Sequence, residues 1–146
     1  MQYARRTDAN QKPIVEALRK AGFSVIVVSD VGNGLSDLIV GFWMQGVGPY
    51  AILMEVKDGT KAPAQRQLTK AQLKMVRGWR GPYAVVESKA EALWLATQLR
   101  QGNVLALEAE PFLSRLPPDR RGRFAKPPGI VMPGHTLPLD ARALGT

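Results

Sequence analysis

The chain of 146 residues contains no cysteine and a single histidine, His135. The first absence excludes a disulfide scaffold, a thiolate nucleophile and any zinc or iron–sulfur site built on cysteine. The second leaves one imidazole for a serine-type triad and none for a histidine metal cluster. Hydrolytic chemistry is thereby left to carboxylates, lysines, amides and a hard cation such as Mg²⁺. Acids are scarce as well: 12 Asp and Glu stand against 20 Lys and Arg, a formal charge of +8. Such an excess points to a polyanionic partner, nucleic acid first, although basicity also serves solubility alone. No apolar run approaches the roughly 18 residues of a membrane span, and the amino terminus lacks the apolar core of a signal peptide. The expectation is a soluble, cytoplasmic protein with no membrane partner.

What is present divides near Gln101–Gly102. Residues 1–100 carry mixed α/β periodicity, whereas residues 101–146 hold seven of the eleven prolines and little pattern, which predicts an extended or partner-bound tail. A first helix opens within residues 7–10, where Asp8 and Gln11 have capping-box spacing, and stops at Gly22. Its apolar stripe is Ile14, Val15 and Leu18, with Gln11 in the middle. Residues 23–28 read as a buried strand, residues 38–43 and 50–57 as a hairpin, and residues 83–86 as a fourth strand. In the third strand Ile52, Met54 and Val56 share one side, and Leu53, Glu55 and Lys57 the other. Thr69 with Gln72 opens a second helix whose inward stripe is Leu68, Met75, Val76 and Trp79, again with a glutamine near its middle. Ser88 with Glu91 opens a last helix through Leu99. The predicted order is α-β-β-β-α-β followed by a further helix, an α/β fold with a mixed sheet flanked by helices.

Asp37 stands just before the second strand, and Glu55 and Lys57 share a face of the third. Paired strands lie about 5 Å apart, so both carboxylates can reach one hard cation. With the Val56 carbonyl, water and a phosphate oxygen completing the shell, such a cation polarises a phosphodiester, and Lys57 is placed to orient the attacking water. Gln11 and Gln72 have two open readings, as closures of helix caps or as inward amides that hold water in the site. The pattern that favours chemistry is joint: an acid 18 positions before Glu-x-Lys, a hairpin between them, and a glutamine-bearing helix on either side.

These stretches, Asp8-Ala9-Asn10-Gln11, Gly32-Asn33-Gly34-Leu35-Ser36-Asp37-Leu38, Leu53-Met54-Glu55-Val56-Lys57 and Leu68-Thr69-Lys70-Ala71-Gln72, resemble a small stand-alone VRR-NUC nuclease of the PD-(D/E)xK superfamily. That superfamily includes Holliday-junction resolvases and restriction enzymes, and the resemblance covers about residues 7–90. It implies a restriction-endonuclease-like core and a Mg²⁺- or Mn²⁺-dependent phosphodiesterase acting on DNA, phage-encoded or bacterial and often dimeric. Its site would comprise Asp37, Glu55, Lys57, Gln72 and Gln11, and its location would be the host cytoplasm or a virion. Two positions depart from the pattern. Ser36 stands where the motif has proline, and Gln11 where the resolvases have glutamate, so one anionic ligand is missing.

Between Gly59 and Pro82 lie six basic residues and no acid. Lys61 and Arg66 follow Lys57 and are placed to meet a substrate backbone. Lys70, Lys74 and Arg77 form either a phosphate-tracking ridge or an ordinary solvated face. Asn33, between Gly32 and Gly34, would let a substrate strand approach closely. In the tail, the arginines Arg120, Arg121 and Arg123 would grip phosphate or a protein partner, while His135 is expected to be solvent-exposed. A second reading makes the chain a non-catalytic nuclease-fold component of a virion or other nucleoprotein assembly, anchored by residues 101–146. An RNA-binding module ranks below both, because the strands lack exposed aromatic clusters for base stacking.

Overall fold

The computed structural model describes residues 8–121. Helix α1 (Gln11–Lys20) leads to strand β1 (Ser24–Val27), the hairpin β2 (Leu38–Met44) and β3 (Gly48–Val56), helix α2 (Lys70–Gly78), strand β4 (Tyr83–Val86) and helix α3 (Lys89–Arg100). The sheet order is β1-β2-β3-β4. The first three strands form an antiparallel meander, and α2 returns the chain so that β4 lies parallel to β3. Among the described residues, no helix is long and apolar enough to cross a membrane.

Two cores follow from the period-2 alternation of the strands. Ile52, Met54 and Val56 point to the side covered by α1 and α3, where they join Ile14, Val15, Leu18, Leu95 and Leu99. Leu53 points to the other side, with Tyr83 and Val85 of β4 and Val76 of α2. The facing expected for β3 is therefore the one observed. So is the α1 stripe, in which Gln11 is buried together with Ile14, Val15 and Leu18.

Local expectations fail where tertiary position decides. Strand β1 is an edge strand, with Ile26 60% exposed and Val27 45%; its β-branched run suits a pleated edge and does not signal burial on both faces. The cap of α1 does not use Asp8 and Gln11 side chains: Asn10 is the N-cap residue, and its side-chain N–H group donates instead to the carbonyls of Lys57 at 2.9 Å and Glu87 at 3.1 Å. Trp79 does not join the inward stripe of α2, because the helix ends one residue earlier; the indole is 38% exposed and donates to the Pro82 carbonyl. Helix α3 buries Ala92, Leu95, Ala96 and Leu99, with Leu93 only partly covered.

The segment after α3 is not extended as far as it is described. Short 3-10 turns at Val104–Glu108, Leu113–Arg115 and Pro118–Arg120 fold it back onto the domain. Ala106, Leu107 and Phe112 enter the first core and Leu116 the second, while Phe112 stacks on Trp94 at 6.0 Å between ring centroids. Arg115 pairs with Glu87 at 2.8 Å and with Glu91 at 2.7 Å. Short loops of apolar residues at irregular spacing carry no period, so nothing in the pattern announced this packing. The expectations for Arg123 and His135 fall outside the described residues.

Candidate active site

Among the described residues eight polar or charged side chains are buried: Gln11, Ser29, Ser36, Asp37, Glu55, Lys57, Gln72 and Arg120. Five of them are the residues that the sequence singles out as catalytic or metal-binding, and burying such groups is costly unless they are bonded to one another.

The sheet positions the acids. Leu38 pairs with Met54, so one step further Asp37 lies opposite Glu55 on the same face. Directly opposed residues of an antiparallel pair have Cβ atoms about 4.5–5.5 Å apart. Asp37 is further tied to β3 because its Oδ2 accepts the Val56 N–H at 2.8 Å, and to the β1 end because its carbonyl accepts the Val28 N–H at 2.8 Å. Glu55 lies deepest, at 2% exposure; Asp37 and Lys57 retain 6% and 8%, which marks the outward side of the site.

Gln72 joins α2 to this face. Its amide N–H donates to Glu55 Oε1 at 2.7 Å, and its Oε1 accepts from Lys57 Nζ at 3.0 Å and from the Thr69 backbone N–H at 2.9 Å. Thr69 Oγ1 in turn accepts the Gln72 backbone N–H, which completes a capping box. Gln72 thus closes the helix and also bridges an acid to an ammonium. Lys57 Nζ lies 3.7 Å from Glu55 Oε1, close enough for attraction but looser than the route through the amide.

Loop 32–34 holds α2 in place. Gly32, Asn33 and Gly34 all have positive φ, at 81°, 57° and 77°, and a Cβ on Gly34 would overlap the backbone carbonyl of Ala71. Only glycine allows the chain that delivers Asp37 to press against the first turn of the helix that delivers Gln72.

Gln11 does not join the bonded cluster. Its Nε2 donates to Ser29 Oγ at 3.3 Å, while its Oε1 is buried and accepts no hydrogen bond. The basic residues named from the sequence are likewise outside it. Lys61 pairs with Asp8 at 3.5 Å, and Arg66 is committed to Glu87 at 2.8 Å and to the Lys61 carbonyl. Lys70 and Lys74 are exposed beside an open groove of about 680 Å³ that Ala71, Leu73 and Arg77 also line. Asn33 is exposed.

Sequence reasoning missed Asn10, Ser29 and Tyr83. Tyr83 is 1% exposed and its hydroxyl is buried with no hydrogen-bond partner. Burial pushes its ionisation far above the usual phenol range, and the charges of Glu55 and Asp37 push it further. The signal was the parallel register Leu53↔Tyr83 and Glu55↔Val85, which puts Tyr83 on the face of the acids; spacing alone does not contain it.

A hard cation fits this donor set. The oxygens on offer are the carboxylates of Asp37 and Glu55 and, next to Glu55 in β3, the Val56 carbonyl. Among the described residues no group of three or more His, Cys, Asp or Glu is placed to hold a metal. Two carboxylates supplemented by water and substrate oxygens match the habit of Mg²⁺ and not that of a structural zinc.

Compared with protein-family models, curated proteins and solved structures, the chain matches none.

Proposed function

We propose that the chain is a Mg²⁺- or Mn²⁺-dependent DNA endonuclease with a restriction-endonuclease-like core. One observation carries the reading: Glu55, Lys57 and Gln72 form a single buried, bonded cluster at the strand end where Asp37 is clamped opposite Glu55. The α-β-β-β-α-β order, with an antiparallel meander and a parallel fourth strand, supports it.

Asp37 and Glu55 would hold the cation. When bound, the cation polarises a phosphodiester and makes a coordinated water more acidic. Lys57 orients the attacking water and offsets charge that builds on phosphorus. Gln72 keeps Lys57 from collapsing onto Glu55, so that neither is consumed by the other as a plain ion pair. Lys70, Lys74 and the net charge of +8 supply sequence-independent attraction for the phosphate backbone.

Supercoiled plasmid and four-way-junction DNA incubated with Mg²⁺, Mn²⁺ or EDTA test the assignment. Cleavage is expected with either metal and none with EDTA. Glu55→Gln and Lys57→Ala should abolish cleavage while circular dichroism and DNA retention stay at wild-type levels. Wild-type rates from both variants would refute the assignment. No cleavage by the wild-type chain with either metal would favour the non-catalytic nucleoprotein component.

A further inference from the structure

The Tyr83 ring is accounted for by the second core, where it packs with Leu53, Val76, Val85 and Leu116. Its hydroxyl is not. A phenylalanine would fill the same space, whereas a buried hydroxyl without a partner costs about 1–3 kcal/mol. Tyr83 lies on the sheet face that carries both acids, yet no hydrogen bond joins its hydroxyl to either of them. The hydroxyl is thus a buried donor on the same sheet face as the two acids and directly bonded to neither.

We propose that the Tyr83 hydroxyl is a positioning group that donates to a water coordinated by the cation held between Asp37 and Glu55. The inference rests on the metal site of the preceding section and adds to it a residue outside the Asp–Glu–Lys–Gln set. Because burial disfavours ionisation, the phenol stays a proton donor. A donor aimed at coordinated water fixes its orientation and withdraws none of the carboxylate oxygens from the metal. Tyr50 provides an internal control. Its pKa is also raised, to about 12, but by burial alone, and it packs against Phe42 in the first core.

The test is Mn²⁺ binding to the full chain without DNA, followed by electron paramagnetic resonance, for the wild type, Tyr83→Phe, Tyr50→Phe and Glu55→Gln. Tyr83→Phe should weaken Mn²⁺ binding by about 10–100-fold, the usual effect of losing a partner of a metal's ligands. Its metal-free unfolding temperature should equal or exceed that of the wild type, since only an unpartnered hydroxyl is lost. Tyr50→Phe should bind as the wild type does. Wild-type affinity in Tyr83→Phe, with binding lost in Glu55→Gln, would overturn the role of Tyr83 and leave the metal site standing. A wild-type chain that binds no Mn²⁺ would overturn both.

Discussion

Replacing Gln72 by alanine separates a helix cap from a bridge in the site. The side chain makes three bonds: to Glu55 at 2.7 Å, from Lys57 at 3.0 Å and from the Thr69 N–H at 2.9 Å. Two of these involve charged groups and are each worth about 1.5–3 kcal/mol when buried. The third is half of a capping box, worth about 1 kcal/mol. Lys57 and Glu55, already 3.7 Å apart, can close on each other and recover part of the loss. The expected cost of Gln72→Ala is therefore about 3 kcal/mol, a large share of the ~5–15 kcal/mol that holds a domain together. Thr69→Ala removes the reciprocal cap bond and leaves the bridge, so it should cost about 1 kcal/mol. Urea unfolding of both variants, with a double-mutant cycle between Gln72→Ala and Glu55→Gln, measures the difference. A coupling of about 1–2 kcal/mol is expected between these bonded partners. Equal losses for Gln72→Ala and Thr69→Ala, with no coupling to Glu55, would show that the glutamine is a cap and nothing more.

Gly34→Ala should cost more than about 2 kcal/mol, because the new Cβ overlaps the Ala71 carbonyl at a residue with φ of 77°; an unchanged urea midpoint would contradict the docking of loop 32–34 on α2. Glu91 makes an independent pH test. Partial burial raises its pKa, but hydrogen bonds from the Arg115 guanidinium and the Glu87 N–H outweigh this and leave it below the usual carboxylate value. The stabilisation is therefore present above the unfolded-state pKa of about 4.3 and is lost as pH falls through the lower folded-state value. Glu91→Gln should be less stable than the wild type near neutrality and converge with it in acid; a constant gap at every pH would contradict the pairing.

The residues of the site were more legible than the path of the chain. The facing of β3 and the stripe of α1 follow from periods of 2 and 3.6, which local geometry imposes wherever one face is buried. Gln11 and Gln72 stood out because an amide inside an apolar stripe demands a partner, and the structure supplies Ser29 for the first and Glu55 and Lys57 for the second. Edge position is a property of the sheet, so the Val-Ile-Val run of β1 could not reveal that its outer side faces water. Tyr83 was hidden for the same reason: its closeness to Glu55 exists only through a parallel register across a crossover. Residues 104–121 were hidden because single apolar side chains such as Phe112 and Leu116, set between prolines, leave no periodic trace. That packing also changes how the tail can be tested. Truncation after Arg100 would strip Leu107 and Phe112 from the first core and damage folding, whereas truncation after Arg121 removes none of the buried residues described here.

The claim beneath all of this is that Asp37 and Glu55 bind one divalent ion. Anomalous diffraction from crystals of the full chain grown with Mn²⁺ measures it directly. One Mn²⁺ peak in contact with carboxylate oxygens of both residues is the result expected; a peak elsewhere, or none at saturating Mn²⁺, would contradict the account.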